Sequence, residues 1–265
     1  MMNAHTPSMT LGRGAAVGPY LLGKSLGEGA SGQVFSAWDR RRGRAVALKL
    51  PHERGAEALH AEARALAALD DPRIVRLVDF GPWRDRAFLA MELLEGSTLQ
   101  AWLDKKPSAD EVLRVLAELG RAIDRVHRVG YVHGDLKPAN VHVTRGGDLR
   151  LLDFGLASTS TRTRSRAGTP AYLAPEIFDG QPLSADSDRF AFAVIVFESF
   201  TQRRPFAGRN WVMQVLDPQP PVWTGVPEPL RDVLARALAP RPDQRPSLRV
   251  LIDTLETARC TPTRR

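Results

Sequence analysis

The chain has 265 residues and a single cysteine, Cys260. One thiol excludes an intramolecular disulfide framework and a Cys-based zinc cluster, and it implies a reducing compartment. Lysine is scarce as well. Only five of the 37 basic residues are lysine (Lys24, Lys49, Lys105, Lys106 and Lys137); the rest are arginine. Long hydrophobic runs are missing too. The most apolar stretch, FAFAVIVFESF at 190–200, is well short of the roughly 20 residues that span a bilayer. It reads as a core helix apolar on every face. The opening MMNAHTPSMTLGRGAAVG holds no apolar run of signal-peptide length. These shortages lead to the expectation of a cytoplasmic protein with no membrane span. The net charge of +7 comes without any groove-reading motif, so a solvated arginine-rich surface is expected, and no nucleic acid partner.

What is present is ordinary for a globular chain: 43% apolar and 25% charged residues, enough for one large domain or two lobes. No internal repeat is apparent. Residues 1–18 are small, polar and Gly-rich and are read as a flexible tail. Three strands are predicted in YLLGKSLG, QVFSAWD and AVALKL, the last two joined by the turn RRGR. A helix is predicted over 56–69, stopped by DDP at 70–72, and two more strands in IVRLVDFGPW and RAFLAMELL. From Pro107 the pattern turns helical. SADE at 108–111 is a capping-box signature, and Val112, Val115, Leu116, Leu119, Ile123 and Val126 follow at the spacing of one helix face. Beyond Pro182, further helices alternate with Pro-rich loops such as DPQPPVWTGVPEP. The expected fold class is α+β: a small antiparallel β lobe with one helix, then a larger, mainly helical lobe.

Three segments carry candidate chemistry. GEGASGQV, at 27–34, is weak evidence by itself, since dinucleotide-binding βαβ units share its glycine spacing. Those units need the glycines to open a helix, whereas here QVFSAWD continues as strand-like sequence. A glycine-rich hairpin is therefore predicted, with Gly27, Gly29 and Gly32 letting backbone amides lie over phosphate oxygens. VALK, at 46–49, puts Lys49 on the third strand. With so few lysines, finding them at both 49 and 137 by blind placement would be a roughly one-in-fifty coincidence, and a compact ammonium does a different job from a guanidinium fork. Lys49 would reach α- and β-phosphates. Glu62 would hold it by an ion pair, with Glu57 as the alternative. HGDLKPAN, at 133–140, offers Asp135 to orient an attacking hydroxyl, Lys137 to offset charge on the moving phosphate, and Asn140 to ligate a metal. Eighteen residues past Asp135, LRLLDFG brings in Asp153, a second metal ligand.

Taken in this order and spacing, the series resembles the protein kinase family over about residues 19–257. The segments carrying it are the glycines with Val34, Lys49, Glu62, His133-x-Asp135-x-Lys137-x-x-Asn140, DFG at 153–155 and APE at 174–176. The resemblance implies an N-lobe over about 19–94, a C-lobe over about 95–257 and a short tail at 258–265. It adds Leu26, Ala47, the gatekeeper position Met91 and the hinge residues Glu92 and Leu94 around adenine. Asp188 matches the acid opening the central buried helix, and Arg245 the partner of Glu176. ATP, magnesium or manganese, and protein substrates follow as implied cofactors and partners. The compact chain resembles the catalytic core of bacterial serine/threonine members.

One departure stands out. Gly134 occupies the position where the family usually has arginine, and the same His-Gly-Asp opening occurs in small-molecule kinases. Those generally lack the segment AGTPAYLAPE at 167–176. By resemblance Thr169 would bond Asp135 and Lys137, as in serine/threonine kinases. Two alternatives remain: a catalytically silent binding module and, with less support, a small-molecule kinase. Without the arginine, activity is expected to depend less on phosphorylation of the loop STSTRTRSRAGTP. That loop's hydroxyls and Arg162, Arg164 and Arg166 read either as autophosphorylation sites with pairing cations or as a solvated polar loop. Ala139, where kinases preferring basic peptides often carry glutamate, implies no such preference.

Overall fold

The computed structural model describes residues 13–29, 32–52, 55–159, 169–206 and 222–260, without the side chains of 158 and 159. The hydroxyls and arginines expected to carry autophosphorylation at 160–168 lie outside the described residues, as do most of the N-terminal tail, the hairpin tip at 30–31 and residues 261–265. The chain divides into two compact units, one of residues up to His60 with Leu77–Leu93, the other of Ala61–Arg76 with the chain from Leu94 on.

The first unit is a six-stranded antiparallel sheet. Its strands are β1 (Ala16–Val17), β2 (Tyr20–Gly29), β3 (Gly32–Asp39), β4 (Arg44–Pro51), β5 (Leu77–Trp83) and β6 (Arg86–Glu92), in the order β1-β2-β3-β4-β6-β5. Side chains alternate between the faces of a strand, and the register shows which go where. Phe35 lies opposite Leu48, Ala37 opposite Val46 and Leu48 opposite Ala90. With Val17, Tyr20, Leu22, Leu50 and Phe88 these residues form one buried core, each large member contributing about 1.5–3 kcal/mol by leaving water. The Tyr20 hydroxyl donates to Asp79 at 2.8 Å; burial first, then this bond, pushes the phenol well above its usual range.

Order starts earlier than the tail reading of residues 1–18 suggests: Val17 is fully buried and pairs with Tyr20. The strand read from Ile74 starts at Leu77 instead. The backbone of 73–75 is already engaged, because Leu151 donates to Arg73 O at 2.7 Å and Val75 to Leu151 O at 3.0 Å. Helix α1 (Ala56–Ala68) ends one residue short of its sequence-based limit.

The second unit contains β7 (Gly96–Thr98), α2 (Leu99–Leu103), α3 (Ala109–Arg128), β8 (Tyr131–Val132), β9 (Val141–Thr144), β10 (Leu149–Leu151), β11 (Ser158–Thr159), α4 (Pro175–Phe178), α5 (Ala185–Thr201), α6 (Glu228–Ala237) and α7 (Leu248–Cys260). The short strands form two small ribbons, β10-β9-β7 and β8-β11. Ser108 and Glu111 make the reciprocal capping box at the start of α3, and the six apolar positions read from its periodicity are all buried. Helix α5 begins with its own capping box, Ser184 with Ser187, and is buried on nearly every side from Phe190 to Phe197. Among the described residues no helix is long and apolar enough to cross a membrane.

Candidate active site

The turn from β8 toward β9 is held by one carboxylate. Asp188, at the N-terminus of α5, accepts from the His133 amide at 2.8 Å and the Gly134 amide at 2.9 Å. His127, near the end of α3, brings Nε2 to 2.8 Å of the same carboxylate. Burial alone would raise the Asp188 carboxyl. The His127 bond, the nearby imidazoles and the Gly134 amide outweigh it and hold the group below its usual range. Gly134 sits at φ +80°, and a Cβ there would come 2.8 Å from Leu183 Cδ1. Glycine meets both constraints without strain. The His133 ring takes an amide proton from Asp135 on Nδ1 at 3.2 Å and donates from Nε2 to Leu152 O at 3.0 Å, which assigns the Nε2–H tautomer.

This frame presents Asp135. Its Oδ1 accepts from the Thr169 amide at 2.9 Å and the Thr169 hydroxyl at 3.0 Å. Its Oδ2 receives Lys137 Nζ at 2.6 Å. Lys137 also donates to the Thr169 hydroxyl at 2.9 Å, closing a three-membered ring of side chains. The Asn140 Nδ2 donates to the Asp135 carbonyl at 2.9 Å and to its Oδ2 at 3.2 Å. The amide nitrogen is thus committed, and oxygen is the atom Asn140 can offer a hard cation. The Leu152 amide donates to the Asn140 carbonyl at 2.8 Å, so Asp153 follows directly beside Asn140. Asp153 lies at φ +60°, a left-handed conformation costing a non-glycine residue roughly 1 kcal/mol or more. Phe154, fully buried, packs on the His133 ring at 4.9 Å between centroids.

The chain leaving Thr169 is fixed in turn. Glu176 forms a two-pronged pair with Arg245, both oxygens 2.7 Å from guanidinium nitrogens, and the arginine also donates to the carbonyls of Asp186, Ala239 and Pro240. Tyr172 donates to Glu198 at 2.7 Å; burial, then that bond, pushes its phenol up.

In the first unit Gly27, Val34, Ala47, Lys49 and Met91 share one face of the sheet, opposite the core. Gly27, Val34 and Lys49 stand in one row across β2, β3 and β4, and Ala47 faces Met91 across β4 and β6. Lys49 and Met91 are both buried, while Leu26 is exposed and Glu92, at the end of β6, lies opposite the core residue Val46. Leu94 belongs to the second unit. In α1, Glu62 is fully buried and Glu57 exposed. Sequence reading missed His127, whose partner lies 61 positions away, and the Tyr172–Glu198 bond. Neither leaves a local signal.

A family model described as "Protein kinase domain" matches residues 20–255. The chain is 32% identical over 250 residues to the serine/threonine-protein kinase PknA of Mycobacterium tuberculosis, covering 86% of this chain and 58% of PknA. It is 33% identical over 255 residues to the serine/threonine-protein kinase Pkn1 of Myxococcus xanthus, covering 88% of this chain and 37% of that protein. To pkn2 of Myxococcus xanthus, also named a serine/threonine-protein kinase, it is 36% identical over 218 residues, covering 74% of this chain and 26% of that protein. The chain therefore spans between about a quarter and three-fifths of the length of these relatives.

Proposed function

The chain belongs to the protein kinase domain family, and from that premise we propose that it transfers the γ-phosphate of ATP to serine and threonine hydroxyls of proteins, its own included. The observation carrying this reading is the ring of Asp135, Lys137 and Thr169. One carboxylate, already charge-balanced by an ammonium, is hydrogen-bonded through Thr169 to the segment that ends in the buried Glu176–Arg245 pair. A small-molecule acceptor would need no such link between base and extended peptide support.

Each residue then has a part. Asp135 orients the acceptor hydroxyl and takes its proton. Lys137 balances charge on the moving phosphoryl group, and Thr169 holds both groups in place. Gly27, Gly29 and Gly32 cover the phosphates with backbone amides, and Lys49 meets the α- and β-phosphates, with Glu62 the carboxylate assigned to it. Leu26, Val34, Ala47 and Met91 would enclose adenine, and the backbone of Glu92 and Leu94 would hydrogen-bond it. Asn140 and Asp153 would hold magnesium or manganese, whose bound charge offsets that of the phosphates. The donor set fits a hard cation that keeps phosphates and water as its remaining ligands. Among the described residues no cluster of three or more His, Cys, Asp or Glu side chains offers a full protein cage. The proposed location is cytoplasmic, in keeping with the lone cysteine, and the proposed partners are proteins and ATP rather than nucleic acid.

Transfer of label from γ-labelled ATP to casein and to the chain itself tests the proposal, with Lys49→Ala and Asp153→Asn as controls. Wild type should label protein with magnesium present, and both variants should lose the signal. Equal, weak labelling by all three would instead make the chain a silent binding module.

A further inference from the structure

We propose that His52 is a positioning residue for the glycine-rich hairpin, fastening its free end to β4 so that its amides are preset for nucleotide. The inference rests on the phosphate-binding reading of that hairpin given above. The end of β2 is open: residues 24–29 are exposed, and a Cβ at Gly27 or Gly29 would touch nothing within 4 Å. With no side chains to pack, the glycines that allow close approach of phosphate leave this end of β2 paired with β3 and without an anchor of its own to β4. The return strand does have one. Gly32 lies so near the end of β4 that a Cβ would fall 2.2 Å from Leu50 O.

His52 extends the same anchorage to β2. It follows Pro51, the last residue of β4, and its Nε2 lies 3.1 Å from the carbonyl oxygen of Gly29. The Glu28 carboxylate is 3.5 Å from the same nitrogen. A carbonyl oxygen can only accept, so in this pair the Nε2–H of His52 is the donor. Inside the hairpin, among the described residues, side-chain ties run between Ser36 Oγ and the Lys24 backbone, at 3.0 and 3.2 Å, and from Gln33 to Ser25 at 3.3 Å. The tie from His52 reaches out to a different strand. It fixes the direction of the carbonyl at Gly29, the last residue of β2, which is otherwise held by its pairing with Gly32. Ordering cost is then met before the nucleotide arrives, which is how preorganisation raises affinity. The groups assigned to proton and phosphoryl handling, Asp135 and Lys137, belong to the second unit, so the effect should fall on nucleotide affinity and leave turnover nearly unchanged.

The test compares wild type with His52→Ala, His52→Gln and Glu28→Gln by the Kd for a non-hydrolysable ATP analogue and by KM and kcat for ATP. His52→Ala should raise Kd and KM by about threefold to tenfold, the effect of one hydrogen bond, with kcat within about twofold. His52→Gln, which keeps a donor, should recover most of the loss, and Glu28→Gln should fall between the two. An unchanged Kd in His52→Ala, a parallel fall in kcat, or no recovery by glutamine would overturn the role. A wild type that binds no analogue would overturn the nucleotide reading itself, an outcome distinct from one in which wild type binds and the variants match it.

Discussion

The two units hold their candidate site residues by different means. In the first, Gly27, Val34, Ala47, Lys49 and Met91 owe their common face to backbone register, one ladder running across four strands. In the second, Asp135, Lys137, Asn140 and Thr169 are held by side-chain bonds spanning up to 34 positions in sequence, and the loop beneath them hangs on Asp188, 54 positions further along. Register is periodic and tolerant, because changing one side chain leaves the ladder intact. A partly buried charge network is less tolerant, since removing one member leaves the others short of partners where water reaches them poorly. The second unit should therefore lose fold and activity together, while the first should lose nucleotide affinity with little loss of stability.

The sharpest separation should come from Asp135→Asn. Loss of the acceptor for the hydroxyl proton should lower kcat by about 10²- to 10⁴-fold, read as label transfer, and the melting transition should fall with it because Lys137 loses its charge partner. Next comes Arg245→Met, which leaves Glu176 buried without its cation. Urea titration should register a loss of about 3–5 kcal/mol, and a change below about 1 kcal/mol would break the contrast drawn here. Asp188 gives the comparison a pH axis. Its carboxyl is held below its usual range in the fold, so its contribution is present at neutral pH and fades as pH drops below the ordinary carboxylate range through the folded value. Stability measured from pH 7 downward should fall, and Asp188→Asn should start lower and fall less steeply. Gly134→Ala should cost about 1–2 kcal/mol, combining a positive φ with contact against Leu183. The smallest effect belongs to the hairpin. Gly27→Ala, with open space around it, should change stability by less than about 0.5 kcal/mol, yet raise the KM for ATP if its backbone covers phosphate.

Much of this was legible before any coordinates. The three opening strands, the helix stopped by Asp70 and Asp71, and the capping box at Ser108 lie within a residue or two of their expected places. Strand alternation and helix caps are fixed by neighbours one to four positions apart. Strands β7 and β9 went unread because three or four residues are too short to display a period. The segment at 74–76 was read as part of β5 because its apolar pattern is strand-like, and nothing local reveals that its backbone is taken by Leu151.

The sequence alone therefore determined which residue types could do the chemistry, and in what order: glycines before Lys49, Asp135 before Asn140, Asp153 before Glu176. The resemblance already implied Thr169 on Asp135 and Arg245 on Glu176, and only the tertiary structure decided the other distant groups that fasten them, among them His127 on Asp188, Tyr172 on Glu198 and His52 on Gly29. The physical reason is range. A cap or a turn is settled by the chain's own local geometry, whereas a hydrogen bond between residues tens of positions apart exists only after packing has brought them within about 3 Å.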